Sequence, residues 1–203
     1  MPLAELSLAS QIAYALQLVL GVMFLVSASS KLRRPRLFQR IVTNYRLLPR
    51  EASPFIAGLV IAAEAFLAAA LLSGELVEPA VALAAVVLTA FSAAIAVNIR
   101  RGRAIPCGCF GAAETPISWR SLARNAFILV ALIVLAALRP AGTGWRAVTS
   151  GGPSSVEAFI SVLALALGLV LAATWLLSLP ELKAIVDPQR RLAVEPSISR
   201  VAA

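Results

Sequence analysis

Between Pro79 and Ile99 the chain reads PAVALAAVVLTAFSAAIAVNI, 21 residues without one charged side chain. At 1.5 Å rise per residue such a run is long enough to cross the roughly 30 Å hydrocarbon core of a bilayer as a helix. It lacks the alternation of polar and apolar residues that marks a barrel strand. Working outward, similar stretches lie at Leu8–Ser30, Pro54–Ser73, Ser118–Leu138 and Val156–Leu179. The expectation is therefore a five-span, all-α integral membrane protein. Composition agrees: 60% of the 203 residues are hydrophobic and 14% charged, against about 45–50% and about 25% in soluble domains. The start, Met1–Ser7, has no Lys or Arg, so it reads as leading into a retained span and not as a secretory signal.

The formal charge of +8 comes from 18 Lys+Arg against 10 Asp+Glu, with no histidine. Seven of the cations fall between the first and second spans, five around the third connection, and four after the fifth span. Those regions share one side of a five-span chain, and only Arg139 and Arg146 lie on the other. The positive-inside rule then puts the N-terminus outside and the C-terminus in the cytoplasm of a bacterial cytoplasmic membrane. The basic charge is thus assigned to orientation and to anionic headgroups. No nucleic-acid motif accompanies it.

Domain boundaries follow. Residues 1–140 form a four-span bundle, 141–155 a Gly-rich external connection, 156–180 the fifth helix, and 181–203 a polar cytoplasmic tail. Within the fifth span Ala164, Gly168 and Ala172 recur every four residues, a spacing that permits close helix contact. From Arg33 to Leu48 the apolar residues Leu37, Phe38, Ile41, Val42, Tyr45 and Leu48 line one helical face, with Arg33, Arg36 and Arg40 on the other. This amphipathic helix is expected to lie in the membrane interface as an anchor and to stop at Pro49.

The chemistry is concentrated in one connection, Ile105-Pro-Cys-Gly-Cys-Phe-Gly111. Without histidine, Cys107 and Cys109 are nearly the only reactive groups in the chain. Arg100, Arg101 and Arg103 precede them and the fourth span begins after them, with Thr115 or Ser118 as its cap; both surroundings favour thiolate. A disulfide across a single residue is strained and therefore labile. Three readings stand: a redox-active dithiol, a two-thiolate site for a soft ion such as Cu(I) or mercury, and two inert cysteines. A redox pair that stands alone needs an external thiol partner, with a quinone as a candidate electron carrier. No bound cofactor is required.

These residues carry a resemblance. The Ile105–Gly111 run, Ser118-Trp119-Arg120, Arg124-Asn125, Ser30-Lys31-Leu32, Tyr45-Arg-Leu-Leu-Pro49, Glu64, Asn98 and Arg101-Gly-Arg103 together resemble the methylamine-utilisation MauE family, related to DoxX-like membrane proteins. The likeness spans about Leu8–Leu138, and Cys-Gly-Cys-Phe-Gly is its most specific part. It implies a DoxX-like four-helix transmembrane bundle engaged in thiol redox work as a thiol–disulfide oxidoreductase beside a thioredoxin-like partner. In methylamine operons such a protein serves maturation of the disulfide-rich small subunit of methylamine dehydrogenase. Members also occur outside those operons. Other classes are a soft-metal or small-solute transporter and a non-catalytic subunit of a membrane complex.

Polar residues inside the spans complete the candidate site. Glu64 lies midway along the second span, where a charge costs roughly 2.5–3.5 kcal/mol unless it is neutralised or paired. Asn98 and Asn125 lie near the span ends beside the cysteines, and Gln11 and Gln17 in the first span. Two roles stay open: a proton relay through Glu64, Asn98 and Asn125 beneath the thiols, or interhelical hydrogen bonding. Arg103, Pro106, Phe110 and Trp119 are the remaining supporting residues, Trp119 also suiting an interfacial anchor. One tension is plain: charge counting puts the cysteines at the cytoplasmic end, whereas exported disulfides form outside.

Overall fold

A computed structural model describes residues 8–103, 105–108 and 116–138, with 160, 162–164 and 166–168. Its helices are α1 (Leu8–Arg33), α2 (Pro35–Asn44), α3 (Ser53–Ser73), α4 (Val77–Arg100) and α5 (Trp119–Leu138). Four stretches, Leu8–Arg33, Arg50–Ser73, Val77–Arg100 and Trp119–Leu138, are long and apolar enough to cross a membrane. The chain is a multi-pass membrane protein. The fifth span expected at Val156–Leu179 falls mostly outside the described residues, of which Ile160, 162–164 and 166–168 are helical. Cys109, Phe110, Thr115, the 141–155 connection and the tail also lie outside them. The bundle belongs to the first of two units, residues 1–165 and 166–203.

Local chemistry sets the helix ends. Pro35 carries no N–H and its ring disfavours a helical residue before it, so α1 ends at Arg33 and Arg34 turns the chain at φ −137°. The first span thus runs past Ser30 and takes in Lys31. The amphipathic helix ends at Asn44, ahead of the expected stop at Pro49, because Arg46 adopts a left-handed φ of 49°. Gly102 closes α4 at φ 66°: its N–H reaches the Ile99 carbonyl at 2.9 Å while the Arg103 N–H reaches Asn98 at 3.1 Å. That pairing is the Schellman cap, for which glycine is preferred.

The four long helices close into a ring in which α1 meets α3 and α5, and α4 meets the same two. Leu20 and Phe24 of α1, Leu67 and Leu71 of α3, Ala84 and Leu88 of α4, and Leu132 and Leu135 of α5 fill the centre. Helices α1 and α3 approach closely at Gly21, where an added Cβ would stand 2.9 Å from Leu72. Nearby, Gln17 Nε2 donates to the Leu71 carbonyl at 2.8 Å. The outer faces remain apolar: Val26, Phe55, Phe66, Val86, Phe127 and Ile133 are all exposed. That inversion of a soluble protein's surface suits lipid.

Candidate functional site

At one end of the ring the connection between α4 and α5 folds against α2. Its base is pinned, the Ile117 N–H donating to the Ile105 carbonyl at 2.8 Å with Pro106 bridged to Pro116. Ile41 and Tyr45 pack with Ile95 of α4 and with Ile105, Cys107 and Ile117 of the connection. The apolar stripe of α2 therefore covers the cysteine turn. The expected role as a bare interfacial anchor is corrected here: Phe38, Ile41 and Tyr45 are buried against protein.

Gly108 explains the middle residue of the Cys-Gly-Cys run. Its φ is 71°, and a Cβ built on it would lie 3.1 Å from Ile41 Cγ2 and 3.6 Å from the Phe38 ring. Backbone conformation and close packing both call for glycine. Cys107 is 5% exposed. Its sulfur accepts from an Arg124 guanidinium nitrogen at 3.6 Å, and its carbonyl accepts from the Tyr45 hydroxyl at 3.4 Å.

Beneath this turn lies an ion pair inside the bundle. Lys31 Nζ donates to Glu64 Oε1 at 2.8 Å, to Oε2 at 2.7 Å and to Ser27 Oγ at 2.7 Å. The Ser27 hydroxyl also bonds the carboxylate. The lysine and glutamate side chains are 1% and 8% exposed. The Phe38 ring centroid stands 5.3 Å from the ammonium, so a residue of α2 touches both this pair and the cysteine turn. Of the two ways to tolerate Glu64 in a span, the protein uses pairing, and its partner is a cation that charge counting had assigned to the cytoplasmic surface. A cavity lined by Ser27, Glu64, Phe91, Arg124 and Asn125 lies alongside.

The other predicted residues divide. Asn125 Nδ2 donates to Ser92 Oγ at 3.2 Å and ties α5 to α4. Asn98 bonds Ala94 of its own helix at 3.0 Å, and its buried Oδ1 has no partner among the described residues. It does not line the cavity that Glu64 and Asn125 share. Arg103 and Pro106 line a shallow, open cleft with Asn44 and Arg46. Trp119 is 67% exposed.

Sequence reasoning missed Lys31, Arg124 and the α2 residues Phe38 and Ile41 as parts of the site. One signal was available for the first: Lys31 is one of only two lysines in a chain otherwise using arginine, and Ser27 precedes it by one helical turn.

Fold and site define a class: a helical membrane bundle with a cysteine turn at one end, roofed by an amphipathic helix and set over a buried lysine–glutamate pair. The model of the family described as methylamine utilisation protein MauE matches residues 9–138. The chain belongs to this MauE family. It is 36% identical over 141 residues to a methylamine utilization protein MauE of Paracoccus denitrificans, covering 68% of this chain and 76% of the relative. A second MauE, from Paracoccus versutus, is 43% identical over 136 residues, covering 64% and 73%. No solved structure matches.

Proposed function

We propose that this protein is a membrane thiol–disulfide oxidoreductase in which Cys107 and Cys109 cycle between dithiol and disulfide. In each cycle the two thiols give up two electrons and two protons to the disulfide of a thioredoxin-like protein, or take them back in reverse. The observation that carries this reading is the guanidinium of Arg124 at 3.6 Å from the Cys107 sulfur. A cation held there favours thiolate, the nucleophilic form in disulfide exchange. The relatives' names point to methylamine utilisation, and the reading places this chain in the maturation of a disulfide-containing exported protein, such as methylamine dehydrogenase. By the positive-inside rule the turn sits at the cytoplasmic end, so reducing equivalents would be exchanged there and handed across.

Replacement of both cysteines by serine tests the reading. Loss of disulfide maturation in the exported client, and of mixed disulfides captured from membranes, is the expected result. Altered metal tolerance or solute uptake with normal maturation would assign the protein to transport. A fully working double-serine protein would leave it a scaffold.

A further inference from the structure

Cys107 can meet an external sulfur only where a partner can approach it. At 5% exposure it is not offered to one. Part of its cover is α2. Ile41 and Tyr45 pack with Cys107, and the Tyr45 hydroxyl donates to its carbonyl at 3.4 Å. Ile41 and Phe38 close over the next residue, Gly108, within 3.1 and 3.6 Å of a Cβ placed there.

Three features make this helix separable from the bundle. It has only ten residues and joins α1 through Arg34 alone, whose φ of −137° and ψ of 60° break the helix. Its far end leads into Arg46 at φ 49°, a left-handed conformation that an arginine leaves once contacts stop enforcing it. Finally, release does not send its apolar stripe into water. Arg36 and Arg40 on the outer face are exposed, and an amphipathic basic helix lies stably in the membrane interface with its apolar face in lipid. The stripe exchanges protein for lipid, so the hydrophobic cost that would hold such a cover shut in a soluble protein is largely absent.

What holds the helix is a specific contact. The Phe38 ring stands 5.3 Å from the Lys31 ammonium, which Ser27 and both Glu64 oxygens fix in place. Lys31 and Phe38 are both buried, and a cation over a ring is worth most where water is excluded. We propose that α2 is a lid over Cys107, latched by Phe38 on the Lys31 ammonium, and that its release into the membrane interface uncovers the sulfur. The lid rests on the redox reading above for what its opening admits. The buried ion pair then has a second use: besides joining α1 to α3, it anchors the latch.

The test uses the full chain carrying Cys109→Ser in lipid nanodiscs, so that Cys107 is its one thiol. Iodoacetamide alkylation reads access to the sulfur, and hydrogen exchange followed by mass spectrometry reads the slowest amides of α2. Where reclosing is fast, both rates scale with the fraction of molecules open. In this parent the two should show one protection factor, at least about tenfold below that of the α1 amides at Leu20–Phe24, which open only with the bundle. Phe38→Leu keeps an apolar side chain and removes the ring. It should speed both reactions by the same factor, about two- to thirtyfold for loss of a cation–π contact, and leave α1 exchange unchanged. Faster alkylation without faster exchange in α2 would mean that the smaller side chain only opens a hole beside the sulfur, and would overturn the lid. So would a parent in which Cys107 reacts as a free thiol or only as fast as the α1 amides open, a comparison that needs no Phe38 variant. Coupled opening in a protein whose double-serine form still matures its client would leave the lid standing and overturn the redox reading.

Discussion

Replacing Lys31 by Met strips the Glu64 carboxylate of the cation that donates to both its oxygens, at 2.8 and 2.7 Å, in a site where the two side chains are 1% and 8% exposed. Among the described residues the carboxylate keeps the Ser27 hydroxyl, too little to solvate a charge inside a span. Breaking a buried pair from one side costs about 3–5 kcal/mol. Removing both charges together, in Lys31→Met with Glu64→Met, leaves no orphan, and the double variant should return to within about 1–2 kcal/mol of wild type. The cycle therefore predicts strong coupling, with each single variant worse than the double. Fraction folded in mixed micelles of mild and denaturing detergent, followed by circular dichroism, measures all four proteins. A Lys31→Met protein within about 1 kcal/mol of wild type, or additive single effects, would show that the pair does not hold α1 to α3.

Three further substitutions probe the packing around the turn. Gly108→Ala should cost about 1–2 kcal/mol for the left-handed backbone, with a further loss from the 3.1 Å approach to Ile41; Ile41→Ala in the same chain should recover only that second part, as denaturation midpoints will show. Gly21→Val forces a side chain into Leu72, 2.9 Å away, and should destabilise the bundle by about 1–3 kcal/mol in the same assay. Trp119→Ala should leave cysteine alkylation rates at wild-type values, because the residue is 67% exposed; a change in rate would place the tryptophan at the site.

Spans were legible because hydropathy reports the medium a helix faces, and four of them lie within a few residues of where apolar run length puts them. Helix α2 was legible in its stripe but not in its destination. A stripe shows that a face is apolar, while its burial on the cysteine turn depends on where Ile105, Cys107 and Ile117 lie in space. Lys31 failed for a related reason. In a count of loop charges it looks like its arginine neighbours, yet α1 runs on to Arg33 and delivers the ammonium to Glu64, 33 residues away. Arg124 likewise reads as an interfacial cation until the connection brings the Cys107 sulfur to it. Gly108, by contrast, carries its reason in the turn itself, between two cysteines and after a proline.

A redox role requires that Cys107 and Cys109 exchange electrons in the membrane. Acid-quenched membranes from cells expressing the full chain, alkylated with a mass-shifting maleimide before and after reduction, report the state of the pair. Reaction with an oxidised thioredoxin-like protein should move the pair from two alkylatable sulfurs to none, and a reduced one should move it back. A pair that keeps the same state with either form of the partner would contradict a redox role for the Cys-Gly-Cys turn.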